Sequence, residues 1–237
     1  MLDFDFSTVK SVTIPEGVVT EIKQGDTVLW KAQNGRLPTG YQEVEWIQSD
    51  GVAYINTGYI YRGANIEAVM EYESFRSRTI PLFGYHYNYD HTPVENNMYF
   101  VVAGKYSTVW YYNTESATAN TAEEIIGKMT IKIVGTMLTI TYGNNLTASA
   151  DVGGNAVIFS ATIPLHIFGT NNGTSHFGGG DGVKLYSFKT QDGYEFVPCY
   201  KISDNTIGVY RMKNGVADVF LPNASDSGSF TKGNNVA

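Results

Sequence analysis

The chain has 237 residues, of which 43% are hydrophobic, 14% aromatic and only 16% charged, well below the quarter usual for soluble domains. This composition excludes a coiled coil or helical bundle, which needs Ala, Glu, Lys and Leu in bulk, and excludes wholesale disorder, which is poor in aromatics. The 16 basic and 23 acidic residues leave a net charge of −7, which argues against nucleic acid or an anionic membrane as partner. The single cysteine, Cys199, allows no intrachain disulfide and no cysteine cluster for a metal, so packing must hold the fold.

The opening Met1-Leu2-Asp3-Phe4-Asp5-Phe6 places acids where a signal peptide would carry basic residues and then an apolar run. No stretch reaches the ~18–20 apolar residues that span a bilayer. The expectation is a product of the cytoplasm that leaves the cell, if at all, by lysis.

In chain order, the first 36 residues read as three short strands. Val12 and Ile14 alternate with polar neighbours, Pro15-Glu16-Gly17 turns, Val18, Thr20 and Ile22 share a face, Gln24-Gly25-Asp26 turns again, and Val28 and Trp30 follow at period two. A β meander this short rarely folds alone, because below ~40 residues a core is too small. It is expected to dock on the next domain, on another copy or on a larger assembly. The boundary falls in Asn34-Gly35-Arg36-Leu37-Pro38-Thr39-Gly40, giving a module at 1–36 and a main domain at 37–237.

Beyond that linker the pattern is short β segments parted by Gly, Asn and Asp. Ile66, Ala68, Met70 and Tyr72 alternate with Glu67, Glu71 and Glu73, which predicts one buried and one wet face. Met98, Phe100 and Val102 follow the same rule. Met129, Ile131 and Ile133 are predicted to pair with Leu138 and Ile140 across Gly135-Thr136. Segments 183–189 and 194–201 flank Gln191-Asp192-Gly193, and 207–212 and 216–221 flank Asn214-Gly215, the strongest hairpin signal in the chain. Only 121–129 has the makings of a helix, a marginal one at under three turns. Many short strands with Gly-rich turns predict an all-β, antiparallel sandwich or jelly roll.

Leu37-Pro38-Thr39-Gly40-Tyr41-Gln42-Glu43-Val44-Glu45-Trp46-Ile47-Gln48-Ser49-Asp50-Gly51, followed by Tyr54-Ile55-Asn56-Thr57-Gly58, resembles the opening of concanavalin A-like (laminin G-like) sandwich domains. Such domains are common in tail, fibre and other structural proteins of bacteriophages and prophages of gut bacteria. Lys184-Leu185-Tyr186-Ser187-Phe188-Lys189, Phe196-Val197-Pro198-Cys199-Tyr200, Ile207-Gly208-Val209-Tyr210 and Gly228-Ser229-Phe230-Thr231-Lys232-Gly233 are similar to its C-terminal part. The likeness spans roughly 37–233 and is weakest in the middle. Ile14-Pro15-Glu16-Gly17-Val18-Val19-Thr20-Glu21-Ile22, running into Val28-Leu29-Trp30-Lys31, resembles a short module preceding such domains. The resemblance implies a concanavalin A-like jelly-roll β-sandwich and a place in a virion, with residues 1–36 attaching to other virion proteins. It names no ligand, since the fold hosts lectins, glycosidases and spacers alike.

Glycosidases on this fold set two carboxylates at alternating positions of one strand, so both meet one sugar. Glu71 and Glu73 alternate, but Phe75 and Ser77 follow where a third acid would stand, and Glu43 and Glu45, next to Trp46, share a face as well. Both pairs read as exposed acids of a wet face, and no catalytic residue is proposed. Tyr85-His86-Tyr87-Asn88-Tyr89-Asp90-His91 is the most unusual stretch. Its rings suit stacking on sugars and its Asn and Asp suit hydroxyls, so Tyr85, His86, Tyr87, Asn88, Tyr89 and Asp90 are the candidate glycan contacts. The competing reading is that these rings cap the sandwich edge or pack a subunit interface. His86 and His91, with only Asp90 nearby, make a poor metal site, and neither a metal nor another cofactor is expected.

Trp110-Tyr111-Tyr112-Asn113 is a second aromatic run, expected to be half core. The Gly-rich Asn171–Gly182 stretch is too poor in acids for calcium and lacks a phosphate-loop ending, so it reads as a surface connection. Cys199, in an apolar strand, reads as an inert buried thiol. The expected function is thus adhesion of a fibre or tail-associated virion protein to host-surface or mucosal glycans, as a homo-oligomer, with a trimer the guess. A ligand-free capsid decoration role and, further off, a glycoside hydrolase remain as alternatives.

Overall fold

The computed structural model describes residues 12–14, 17–19, 21–24, 27–31, 36–61, 63, 65–72, 80–86, 98–112, 115–153, 163–173, 175–177 and 181–236. Near the N-terminus lie β1 (Val12–Ile14), β2 (Gly17–Val19), β3 (Glu21–Gln24) and β4 (Thr27–Lys31). Next come β5 (Tyr41–Glu43), β6 (Ile47–Ser49), β7 (Ile55–Asn56), β8 (Ile66–Tyr72), β9 (Ile80–His86), β10 (Met98–Gly104), β11 (Ser107–Tyr112) and β12 (Glu115–Asn120). They are followed by β13 (Gly127–Val134), β14 (Met137–Tyr142), β15 (Leu146–Asp151), β16 (His166–Ile167), β17 (Thr170–Asn171) and β18 (His176–Phe177). The last are β19 (Val183–Thr190), β20 (Tyr194–Lys201), β21 (Ile207–Lys213), β22 (Val216–Pro222) and β23 (Phe230–Lys232). Among the described residues there is no helix.

Two sheets make the main body. The smaller runs β12-β11-β10-β9-β16-β7, with β17 joined to β9 and β18. The larger runs β15-β14-β13-β8-β19-β20-β21-β22, with β6 bonded to β19 and β23, and β5 to β20. Pairing is antiparallel except where β17 meets β9. The sheets face each other across an apolar core in which Phe83 of β9 meets Phe188 of β19 edge-on, ring centroids 5.0 Å apart. The all-β antiparallel sandwich that the sequence predicts is the fold observed.

Period-two patterning builds this core. Ile66, Ala68, Met70 and Tyr72 point inward from β8, and Met129, Ile131 and Ile133 from β13. Register aligns them into a stripe, with Ile140, Ile131, Ala68 and Phe188 side by side on four strands. Each Ile, Met or Phe among these side chains contributes about 1.5–3 kcal/mol by leaving water, and Ala68 less. The turns predicted at Asn214-Gly215 and Gly135-Thr136 close as expected. Asn214 and Gly215 have φ of 49° and 77°, the doubly left-handed geometry of a tight hairpin, and Gly135 has φ of 59°.

A second, smaller cluster lies on the opposite face of the large sheet: Leu37, Val197, Cys199, Tyr210 and Met212, edged by Tyr41, Ala217 and Phe220. Leu37 and β5 cover it, and Arg36 binds both Glu43 and Glu195. The residues that the sequence marks as a linker are therefore tied to the sandwich from Arg36 onward.

Two expectations are corrected. The segment 121–129 forms no helix: 121–126 is irregular, and β13 starts at Gly127, because the Met129-Ile131-Ile133 alternation outweighs a helix of barely two turns. The N-terminal segment holds four strands, not three. β2 pairs with β1 while β3 pairs with β4, so Val18 and Ile22 belong to different hairpins; Thr20 lies outside the described residues.

Candidate functional site

The six residues singled out in the sequence do not form an exposed patch together. Tyr85 is fully buried in the core, because β9 lies between β10 and β16 and alternation sends this ring inward. As an exposed glycan contact it is therefore corrected to a core ring. His86 ends β9 opposite Met98, and Tyr87, Asn88, Tyr89 and Asp90, like His91, lie outside the described residues. Of the aromatic run, Trp110, Tyr111 and Tyr112 belong to β11, between β10 and β12. Among the described residues no group of three or more His, Cys, Asp or Glu side chains gathers to hold a metal. Burial, reinforced by the Glu43 charge, pushes the Cys199 thiol up to about 12, so it stays a neutral thiol at physiological pH.

The chemistry concentrates elsewhere, on the outer face of the large sheet. There the distant sequence blocks that carry the family resemblance meet. Register sets Lys128 of β13, Glu71 of β8, Lys184 of β19, Gln48 of β6 and Thr231 of β23 in one rung. The register of β19 against β8 slips between Leu185 and Ser187, and the extra residue, Tyr186, is aimed at Glu71. Its hydroxyl donates to Glu71 Oε2 at 2.5 Å, and Lys184 Nζ donates to Oε1 at 3.3 Å.

Two half-buried rings flank this carboxylate. Lys184 Nζ lies 4.6 Å from the ring centroid of Trp46, and Lys128 Nζ 3.6 Å from that of Tyr186, both in cation–π range. Trp46 rests directly on Gly233: a Cβ there would come within 2.7 Å of Trp46 Nε1, so only glycine lets the indole lie flat. Gln48 Oε1 accepts from the Thr231 hydroxyl at 3.4 Å. Burial opposes the charge on Glu71, but the hydrogen bonds from Tyr186 and Lys184 and the nearby ammonium groups outweigh it and hold the carboxyl below its usual range. Glu71 is thus an ionised acceptor at neutral pH, which is the wrong state for a general acid.

Beyond the rung of Thr130, Val69 and Ser187, the outer rung of Lys132, Glu67 and Lys189 has a different character. Lys132 pairs with Glu67 at 2.9 Å, Lys189 with Glu195 at 3.2 Å, and Arg36 with Glu195 and with Glu43 at 2.8 Å. These alternating charges satisfy one another at the surface, where each pair is worth about 0–1 kcal/mol. A shallow open groove of about 390 Å³ runs beside them, past Asn65, Val134 and Gln191.

At one end of the small sheet, His166 and His176 bring their Nδ1 atoms to 3.3 Å. Tyr54 stacks on His176, ring centroids 3.9 Å apart and planes within 4°, and lies 4.6 Å from the His166 ring. The Gly-rich stretch read as a surface connection begins here: Thr170 and Asn171 pair with Phe177 and His176, and Asn171 is buried, donating to Pro164 O and accepting from Gly173 N.

No protein-family model matches the chain, and no curated protein matches it. Sequence reasoning had quoted Trp46, Lys184, Tyr186 and Gly233 only as parts of separate blocks. The signal that they form one site lies in long-range strand pairing, which adjacent residues do not encode.

Proposed function

We propose that this chain is a bacteriophage or prophage virion protein of the fibre or tail-associated type, whose jelly-roll, lectin-like sandwich adheres to glycans of a host or mucosal surface. Residues 1–36 attach it to other virion proteins, and the chain works as a homo-oligomer, a trimer by analogy with fibres. The observation that carries the glycan reading is the pair of half-buried rings, Trp46 and Tyr186, flanking an ionised Glu71 and the Lys184 ammonium on an outer sheet face. Ring faces stack on the apolar face of a sugar while a carboxylate, an ammonium and the Gln48 amide address its hydroxyls. The stretch after Tyr85, from Tyr87 on outside the described residues, is kept as a second candidate contact beside this face.

The measurement is retention on a glycan array, wild type against Trp46→Ala. Losing one stacking ring should weaken binding about tenfold, or ~1.4 kcal/mol, with little change in melting. Wild-type chain that no glycan retains would reject the adhesin. That outcome would favour a ligand-free decoration protein, a reading supported by the lysines that already cover both rings. Deleting residues 1–35 should leave the sandwich cooperative in melting and abolish incorporation into particles; normal occupancy after the deletion would reject the attachment role. In a glycoside hydrolase Glu71, held in its charged form, would fit the nucleophile or base and not the general acid, which a second carboxyl would have to supply.

A further inference from the structure

The His166–His176 pair stands apart from the proposed glycan face and sits where the small sheet is built from the two-residue strands β16, β17 and β18. β16 runs antiparallel to β9, placing His166 opposite Gly84 and, on its other side, opposite Asn56 of β7. The chain then bends at Phe168 and Gly169, and β17 returns beside β9 in parallel, with Asn171 opposite Tyr85. Phe168 takes a φ of 69° while fully buried, a left-handed conformation that is unfavourable for a bulky L-residue. Past this strained corner, β17 and β18 are two residues each. The Nδ1–Nδ1 hydrogen bond is a side-chain tie from β16 to β18, and Tyr54 backs both rings.

We propose that this corner is an acid-sensitive latch: protonation of the histidine pair releases the β17–β18 hairpin from the small sheet while the rest of the sandwich stays folded. With both rings neutral, one donates its Nδ1–H and the other accepts. A first proton can reside on the donor ring without breaking the bond, but its charge is then held on a ring pair of which His166 is buried from water. Among the described residues, Tyr54 before β7 and His176 of β18 are the rings in contact with His166; on β9, which it lies against opposite Gly84, Tyr85 is buried in the core and His86 stands two residues beyond Gly84. A second proton sets Nδ1–H against Nδ1–H and destroys the tie. His166 is buried and His176 half-buried, its Nε2 closed off from solvent, so the charged state reaches water by the hairpin swinging outward. The left-handed Phe168 favours the same movement, since its strain relaxes when the corner lets go. Burial, with a smaller contribution from His176, pulls the His166 pKa down to about 3, which agrees with a shell that resists the charge.

The test is hydrogen exchange of the full chain at pH 7.5 and pH 5, corrected for the intrinsic pH dependence of exchange. Peptides over 165–177 should lose protection at least tenfold at pH 5 while those over β13 and β14 keep theirs. The double variant H166Q/H176Q retains a donor and an acceptor but binds no proton in this range, and it should show no such local loss. Equal loss in β13 and β14, or a local loss of the same size in the double variant, overturns the latch. If the double variant does not fold, imidazole nitrogen NMR of the wild type decides. Proton uptake by the pair at the pH where 165–177 opens upholds the latch, and uptake without opening, or opening without uptake, rejects it.

Discussion

The two faces of the large sheet are written by the same strands and do opposite work. On β8 and β13, Ala68, Met70, Ile131 and Ile133 look inward and are completely buried, while Glu67, Glu71, Lys128 and Lys132 look outward from the positions between them. Inner neighbours add up, because a stripe continuous over four strands removes apolar area from water at every step. Outer neighbours mostly exchange one charge partner for another and for water. Stability is therefore concentrated on one side, and the other side is open to recognition chemistry at small cost. The exception is the Glu71–Lys184 pair, side chains 20% and 10% exposed, which sits on the outer face but is buried almost like a core element.

The sharpest way to break this comparison is Ile131→Ala. It should cost about 2–5 kcal/mol in chemical denaturation, as cavities of this kind do, and an effect no larger than that of its neighbour Lys132 would refute the inside–outside assignment. Next in size is acid. The His166 pKa is lower in the fold than in the unfolded chain, so the neutral fold holds fewer protons; its contribution is complete above about pH 6.5 and is lost as pH falls toward about 3. Each pH unit in that window should remove about 1.4 kcal/mol until the hairpin lets go and caps the loss. Melting of wild type and H166Q/H176Q from pH 7.5 to 4.5 measures it, and parallel curves would contradict the assignment. Glu71→Ala should cost about 1–3 kcal/mol by removing the acceptor of both the nearly buried Lys184 and the Tyr186 hydroxyl, which would mark this outer pair as intermediate in kind; a change within ~0.5 kcal/mol would place it with the ordinary surface pairs. Lys132→Ala should fall within about 0.5 kcal/mol, the smallest effect, since Lys132 is half-exposed and pairs only at the surface.

What the sequence made legible was local. Alternation along Ile66–Tyr72 and 129–133 and the Asn214-Gly215 turn depend on neighbours a few residues apart, and the structure follows them. Tyr85 shows where this stops. Period two places it on a face, but which face is core depends on β10 and β16 closing over β9, and those partners come from elsewhere in the chain. The Trp46–Lys184–Gly233 site was hidden for the same reason, because its members meet only through the pairing of β6 with β19 and β23. The β19 irregularity that turns Tyr186 toward Glu71 has no signature in Lys184-Leu185-Tyr186-Ser187.

The strap formed by Arg36 and β5 also sets how the molecule carries mechanical load. β5 is joined along one side to β20, through Tyr41 opposite Lys201 and Glu43 opposite Cys199. On its other side the C-terminal segment is bonded to it, Val236 N donating to Glu43 O and Glu45 N to Asn234 O, each at 3.0 Å. A pull on the chain ahead of residue 36 meets the Arg36 contacts with Glu43 and Glu195 first, then a strand gripped on both flanks. Drawn along its own axis, such a strand must slide, breaking its bonds together instead of one after another. A tether leading through residue 36 would therefore yield at high force along that axis and at much lower force when pulled across it, an anisotropy that single-molecule stretching from two attachment points can read directly.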